Sequence, residues 1–145
     1  MKVLGVELKG NEAVICLLSL TDGLFDIPDC RVRKLALKDS DSSQSLKDFQ
    51  FAFDKLVADY NIDKVIIRQR PLKGKFSGGG VGFKMEGALQ VSNKLDVALM
   101  QPTKIKETIK QNPVPLPFSD TGLKAFQEAA FATAYAFLVS PSEQG

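Results

Sequence analysis

Histidine is absent from the 145 residues, and cysteine occurs only twice. The first absence excludes Ser-His-Asp and Cys-His catalysis, and histidine-ligated zinc. Two cysteines alone make a poor zinc set, so any metal would need oxygen ligands, which favours magnesium or manganese. Cys16 lies in the apolar run 13–18 and reads as a small core residue, while Cys30 follows a Pro-Asp turn. A disulfide between them is disfavoured in a reducing compartment. A charge excess is also lacking. Nineteen Lys and Arg against seventeen Asp and Glu leave a net charge of +2, too little to imply a nucleic-acid partner by itself. No apolar run approaches the ~20 residues of a membrane span, so no membrane partner is expected. The opening Met1-Lys2-Val3-Leu4-Gly5 enters a strand pattern directly, without the apolar stretch of a signal peptide. The expectation is a cytoplasmic chain with one domain over 1–139 and a short tail over 140–145.

What is present is a clear alternation of elements. Residues 3–7 and 11–20 read as two strands joined by a short glycine-containing link, hence a hairpin. Thr21-Asp22-Gly23 signals a turn. Residues 30–37 alternate apolar and basic side chains, which predicts a third strand with one polar face. After a polar loop, Ser45 can cap a helix whose apolar face is Leu46, Phe49, Phe53, Leu56, Val57 and Tyr60, with Asn61 at its end. Phe51 lies off that face. A short buried strand over 64–68 follows, then a helix over 81–92 and a strand over 95–100. Pro102 suits the first turn of a helix over 104–110. The three prolines of 112–118 enforce an extended connector, and Ser119 or Asp120 can cap a last helix over 121–139. Tight links make the first three strands antiparallel, whereas a helix before each of the fourth and fifth makes those parallel. The fold class is α/β: a mixed five-stranded sheet with helices on both faces.

The stretch "KVIIRQRPLKGKFSGGGVGFK", 64–84, carries six basic residues and no acid. Gly78-Gly79-Gly80 before a helix would let backbone amides approach a phosphate. No glycine-lysine-serine closes a Walker loop, and no dinucleotide fingerprint is present. A solvated loop explains the same composition. Phe76 beside Lys75 would stack on a base, or pack beneath its own loop.

Three segments carry a resemblance. "VLGVELKG" is similar to an opening strand that ends in an acid, "VIIRQR" to a fourth strand, and "QEAAFATAYAFL" to a final helix that begins among alanines. "GFKMEGALQ" is similar to the helix after the fourth strand. In this order they resemble the ribonuclease H-like superfamily, in particular its Holliday-junction-resolvase branch. The whole chain further resembles a family of small uncharacterised bacterial proteins thought to share that fold. Active members of the superfamily gather three or four carboxylates around two magnesium ions, which activate water at a phosphodiester. On this resemblance Glu7 matches the first acid, with glutamate where aspartate is usual. The second position falls on Arg68 or Gln69, neither an acid. Glu128 matches the first acid of the last helix, and Phe131 stands where the next is expected.

The resemblance therefore implies a depleted centre: Glu7, Gln69 and Glu128 as remnant catalytic positions, with Glu7 and Glu128 as the remaining magnesium or manganese ligands. Glu7 alone is equally explained by pairing with Lys9 or Arg68. Glu128, in an apolar segment, calls either for an ion pair or for a polar pocket shared with Glu7. Lys9, Arg68, Arg70, Lys73, Lys75 and Lys84 are the expected contacts to DNA or RNA. Three readings follow. The first is a nucleic-acid-binding protein with an eroded two-metal site. The second is a live magnesium- or manganese-dependent nuclease, with Gln69, Glu86 or Asp120 completing the ligands. The third is a protein-interaction module.

Overall fold

A computed structural model describes residues 1–71 and 79–140. The central hairpin pairs β1 (Lys2–Lys9) with β2 (Glu12–Thr21), in register from Lys2 opposite Ser19 to Lys9 opposite Glu12. Gly10 supplies the positive φ, 61°, that this two-residue link needs. A second tight turn at Asp22-Gly23, both at positive φ (52° and 79°), returns the chain into β3 (Leu24–Asp26). This is the Asp-Gly hairpin turn whose twist matches its strands.

The expected third strand over 30–37 is not continuous. Its place along β2 is taken by two short segments, β3 at one end and β4 (Lys34–Ala36) at the other. Residues 27–33 leave the sheet between them. Pro28 offers no backbone donor to a ladder, which suits a break here. The sheet therefore has six strands rather than five, ordered β3-β2-β1-β5-β6 with β4 also on β2. Both crossovers are parallel as expected: β5 (Lys64–Arg68) on β1, and β6 (Val97–Met100) on β5.

Helices cover both faces. The first, α1 (Ser43–Tyr60), begins earlier than expected because Ser42, not Ser45, is its cap: the Ser42 hydroxyl accepts from the Ser45 amide at 3.1 Å. Asn61, at φ 54°, ends it as expected. Phe49 and Phe53 turn inward with ring centroids 5.2 Å apart, whereas Phe51 is 63% exposed. With α2 (Gly80–Gln90), α1 covers the face that carries Leu4, Val6 and Leu8 of β1 and Val65 and Ile67 of β5. The opposite face, with Val3, Val14, Cys16, Leu18 and Ile66, packs against α3 (Pro102–Gln111) and α4 (Glu128–Val139). Cys16 is a free core thiol whose pKa burial pushes up to about 12, and Cys30 is also free. The Tyr135 hydroxyl lies 3.0 Å from the carbonyl oxygens of Asn112 and Pro113 and so holds the proline connector to α4.

The last helix is shorter than expected. Its predicted first turns are instead two short 3₁₀ turns, Phe118–Asp120 and Ala125–Gln127, before α4 starts at Glu128. Its small residues have a packing reason. A Cβ on Gly5 would stand 2.0 Å from the Ala130 carbonyl oxygen and 3.0 Å from the Ala134 Cβ. Helix backbone thus lies directly on the central strand, and nothing flexible there can yield. Gly5→Ala should cost about 3 kcal/mol by overpacking and lower the melting temperature by about 10 °C. Gly87→Ala, in α2 with open space around it, should raise stability by about 1 kcal/mol. Thermal melts of the two variants check this pair, and an unchanged Gly5→Ala would contradict the contact.

Candidate functional site

The carboxyl ends of β1, β5 and β6 meet at one edge of the sheet. From the neighbours β1 and β5 the chain leaves in opposite directions, to β2 and to β6. Alternation along β1 puts Glu7 on the face of Val3 and Gly5, the face that α4 covers. Glu7 is half-buried there. The β1–β5 pairing ends at Val6 opposite Ile67; one residue further along each strand, Glu7 and Arg68 fall on the same face of the sheet. Among the described residues no ion pair involves Glu7, so neither Lys9 nor Arg68 is bonded to it. Gln69 follows directly, and its amide donates to the Met100 carbonyl at 2.9 Å, extending the β5–β6 ladder.

The expectation for Glu128 requires correction. It is exposed, not enclosed among apolar side chains. The buried neighbour is Gln127, 4% exposed, because α4 starts one residue later with the phase set by the preceding 3₁₀ turn. Gln127 Nε2 donates to the Ile15 carbonyl at 2.8 Å, and its Oε1 accepts from the Lys124 amide at 3.0 Å. Ile15 pairs with Val6, so this bond holds the start of α4 beside the end of β1. Glu128 stands at that helix start, where a negative charge complements the dipole. Phe131, one turn on, is in the core, 5.7 Å from Phe118 between ring centroids. Asp120 lies instead on the rim of an apolar groove with Phe25, Leu116 and Tyr135.

The expected cations divide. Lys9 is exposed at the end of β1. Lys84 is exposed but donates to the Ser40 carbonyl at 2.7 Å and lies 3.4 Å from an Asp41 carboxylate oxygen, a pair of little energetic weight in solvent. Lys73, Lys75, Phe76 and Gly78 fall outside the described residues. Arg70 turns inward: its Nη1 donates to the Leu8 carbonyl, and its guanidinium lies 6.0 Å from the Phe83 ring centroid. Beside it Glu86 is buried, with burial pushing its carboxyl pKa up and the Arg70 charge pulling it back. The basic stretch drew attention to Arg70 as a surface charge. The spacing of Gly82 and Phe83, four and three residues before Glu86, was the signal that it has an internal partner surface.

Two further donors face this edge. The N-caps of α2, Gly79, and of α3, Gln101, make no side-chain cap bond among the described residues, and helix starts are places where anions bind. A pair of divalent ions does not fit the donor set. Two carboxylates and an amide offer little anionic oxygen, and Arg68 beside Glu7 repels a cation. Among the described residues no group of three or more Cys, Asp or Glu side chains is arranged to hold a metal.

Burial of Glu86 sets a pH test. The folded chain binds this proton more tightly than the unfolded chain. Its contribution is therefore fullest below the ordinary glutamate pKa of about 4.3 and is lost as pH rises through the raised folded value. Relative to Glu86→Gln, the wild type should lose stability steadily across that rise in urea melts. Parallel pH profiles for the two proteins would refute it.

Comparison with known proteins agrees with the fold. The chain is similar to Thermus thermophilus RuvC, with a TM-score of 0.71 at 11% identity over 96% of this chain and 94% of that one. It is equally similar to T. thermophilus RuvC in complex with Holliday junction substrate, with a TM-score of 0.71 at 11% identity over 100% and 96%. The ribonuclease H-like, resolvase-branch expectation thus stands at the level of fold. Among curated proteins none matches. A family model described as "Protein of unknown function (DUF3010)" matches residues 1–137.

Proposed function

The chain belongs to that family of unknown function, and we propose that it is a nucleic-acid-binding protein whose resolvase-like fold meets phosphate with fixed cations in place of a two-metal centre. The observation that carries this reading is that half-buried Arg68, the last residue of β5, lies on the same sheet face as half-buried Glu7 near the end of the neighbouring β1. A guanidinium there binds phosphate oxygens in a fork and needs no metal. Glu7, Gln69 and Glu128 are then the remnant of a carboxylate set. In this reading Lys9 and Arg68, with the starts of α2 and α3, meet the backbone, and Lys84 is a further candidate contact; Lys73 and Lys75, outside the described residues, are the other basic positions of the stretch. The full-length likeness to RuvC, one of whose structures holds a Holliday junction substrate, supports a nucleic acid as the partner.

Mobility-shift titrations of duplex, junction DNA and single-stranded RNA test it. Binding should weaken steeply with salt, with a log–log slope near −0.9 per phosphate neutralised on duplex DNA. Arg68→Ala should reduce that slope by about one, and EDTA should leave binding unchanged. No shift with any of the three at low salt would sink the reading. Manganese-dependent cleavage that disappears in Glu7→Ala would replace it with the nuclease reading.

A further inference from the structure

The pairing of β1 with β5 ends at Val6 and Ile67, yet β1 runs on to Lys9. Its last residues lack that strand neighbour. The Leu8 carbonyl is taken instead by Arg70 Nη1. One face of α2 is fitted to this guanidinium. A Cβ on Gly82 would stand 2.7 Å from Arg70 Cζ and Nε, so any larger residue there would require the guanidinium to shift. Phe83 turns its ring toward the cation. Glu86, 9% exposed, supplies the opposite charge. Glu86 is four residues after Gly82 and three after Phe83, so each of the two neighbours Glu86 on the helix surface. Among the described residues Glu86 Oε1 and Arg70 Nε have no hydrogen-bond partner.

We propose that Arg70, seated on Gly82, Phe83 and Glu86 of α2, is a positioning residue that fixes the end of β1, and with it Lys9, for binding the nucleic-acid backbone, and is not itself a phosphate contact. The inference rests on the nucleic-acid reading above. Its distinguishing feature is geometry: the guanidinium donates from Nη1 to the Leu8 carbonyl while lying against Gly82 and near the Phe83 ring. An ammonium on a flexible stem reproduces the charge but neither the plane nor the fork.

Binding by the full chain, measured well below each variant's melting temperature, tests this with Arg70→Lys, Arg70→Gln, Glu86→Gln and Lys9→Ala. Arg70→Lys and Arg70→Gln should both weaken binding, by roughly tenfold, with the salt slope unchanged. Lys9→Ala should lower the slope by about one. Lys9→Ala combined with Arg70→Gln should lose less than the product of the two single losses. A slope reduced by about one in Arg70→Gln, with affinity largely kept in Arg70→Lys, would make Arg70 a phosphate contact and overturn the proposal. Affinity unchanged in every Arg70 variant, with only the melting temperature lowered, would also overturn it. If the wild type binds no nucleic acid, the functional reading fails and the positioning role with it. The internal seat is then judged alone by melts of the Arg70→Gln and Glu86→Gln cycle, where additive shifts would refute the pair.

Discussion

The contact on which the architecture depends is the approach of α4 backbone to Gly5 in the central strand. A space too small for one methyl group separates the Ala130 carbonyl from β1. A helix can come this close only if its facing residues are small, and Ala130 and Ala134 are. The helix in turn must not slide, and two polar ties fix it. Gln127 bonds to β2 at one end, and Tyr135 holds the proline connector near its middle. The start of α4 therefore stays beside the end of β1, and so does the face that carries Glu7.

On that edge few acids remain, Glu7 and Glu128, and cations stand with them. A two-metal centre needs concentrated anionic oxygen, since hard cations gain most of their binding from it. Here the neighbouring strand offers a guanidinium, the later acid position is a core phenylalanine, and the remaining acid of α4 faces solvent. In the proposed reading Lys9 and Arg68 are complementary to phosphate without any ion between. The same fold that can gather carboxylates can equally gather donors, which is why the fold leaves the activity open.

Much of the architecture was legible along the chain. Asp22-Gly23 and Asn61 were read as turn and helix end because their conformations are local, set by which residues tolerate positive φ. The apolar face of α1 and the short buried β5 followed from periodicity. The third strand was misread because alternation over 30–37 measures polarity, not pairing, and Pro28 and its neighbours leave the ladder. The start of the last helix was misread because a 3₁₀ turn and an α-turn have nearly the same sequence preferences. Glu128 was thereby placed among apolar side chains, whereas the structure buries Gln127 and exposes Glu128.

The sequence by itself determined the order of elements, the parallel and antiparallel sense of the main strands, the exclusion of histidine chemistry, and the shortage of acids at the candidate edge. Those depend on composition, on periodicity and on local backbone preference. Only the tertiary structure decided which charges face water. Arg70 and Lys84 read alike as basic residues in one stretch, yet one guanidinium is folded onto Gly82, Phe83 and Glu86 and one ammonium stands in solvent. The direction of a long side chain is set by the carbonyls, rings and counter-charges that other segments bring to it. In Arg70 these come from β1 and α2, which are separate from it in sequence and adjacent only in the fold.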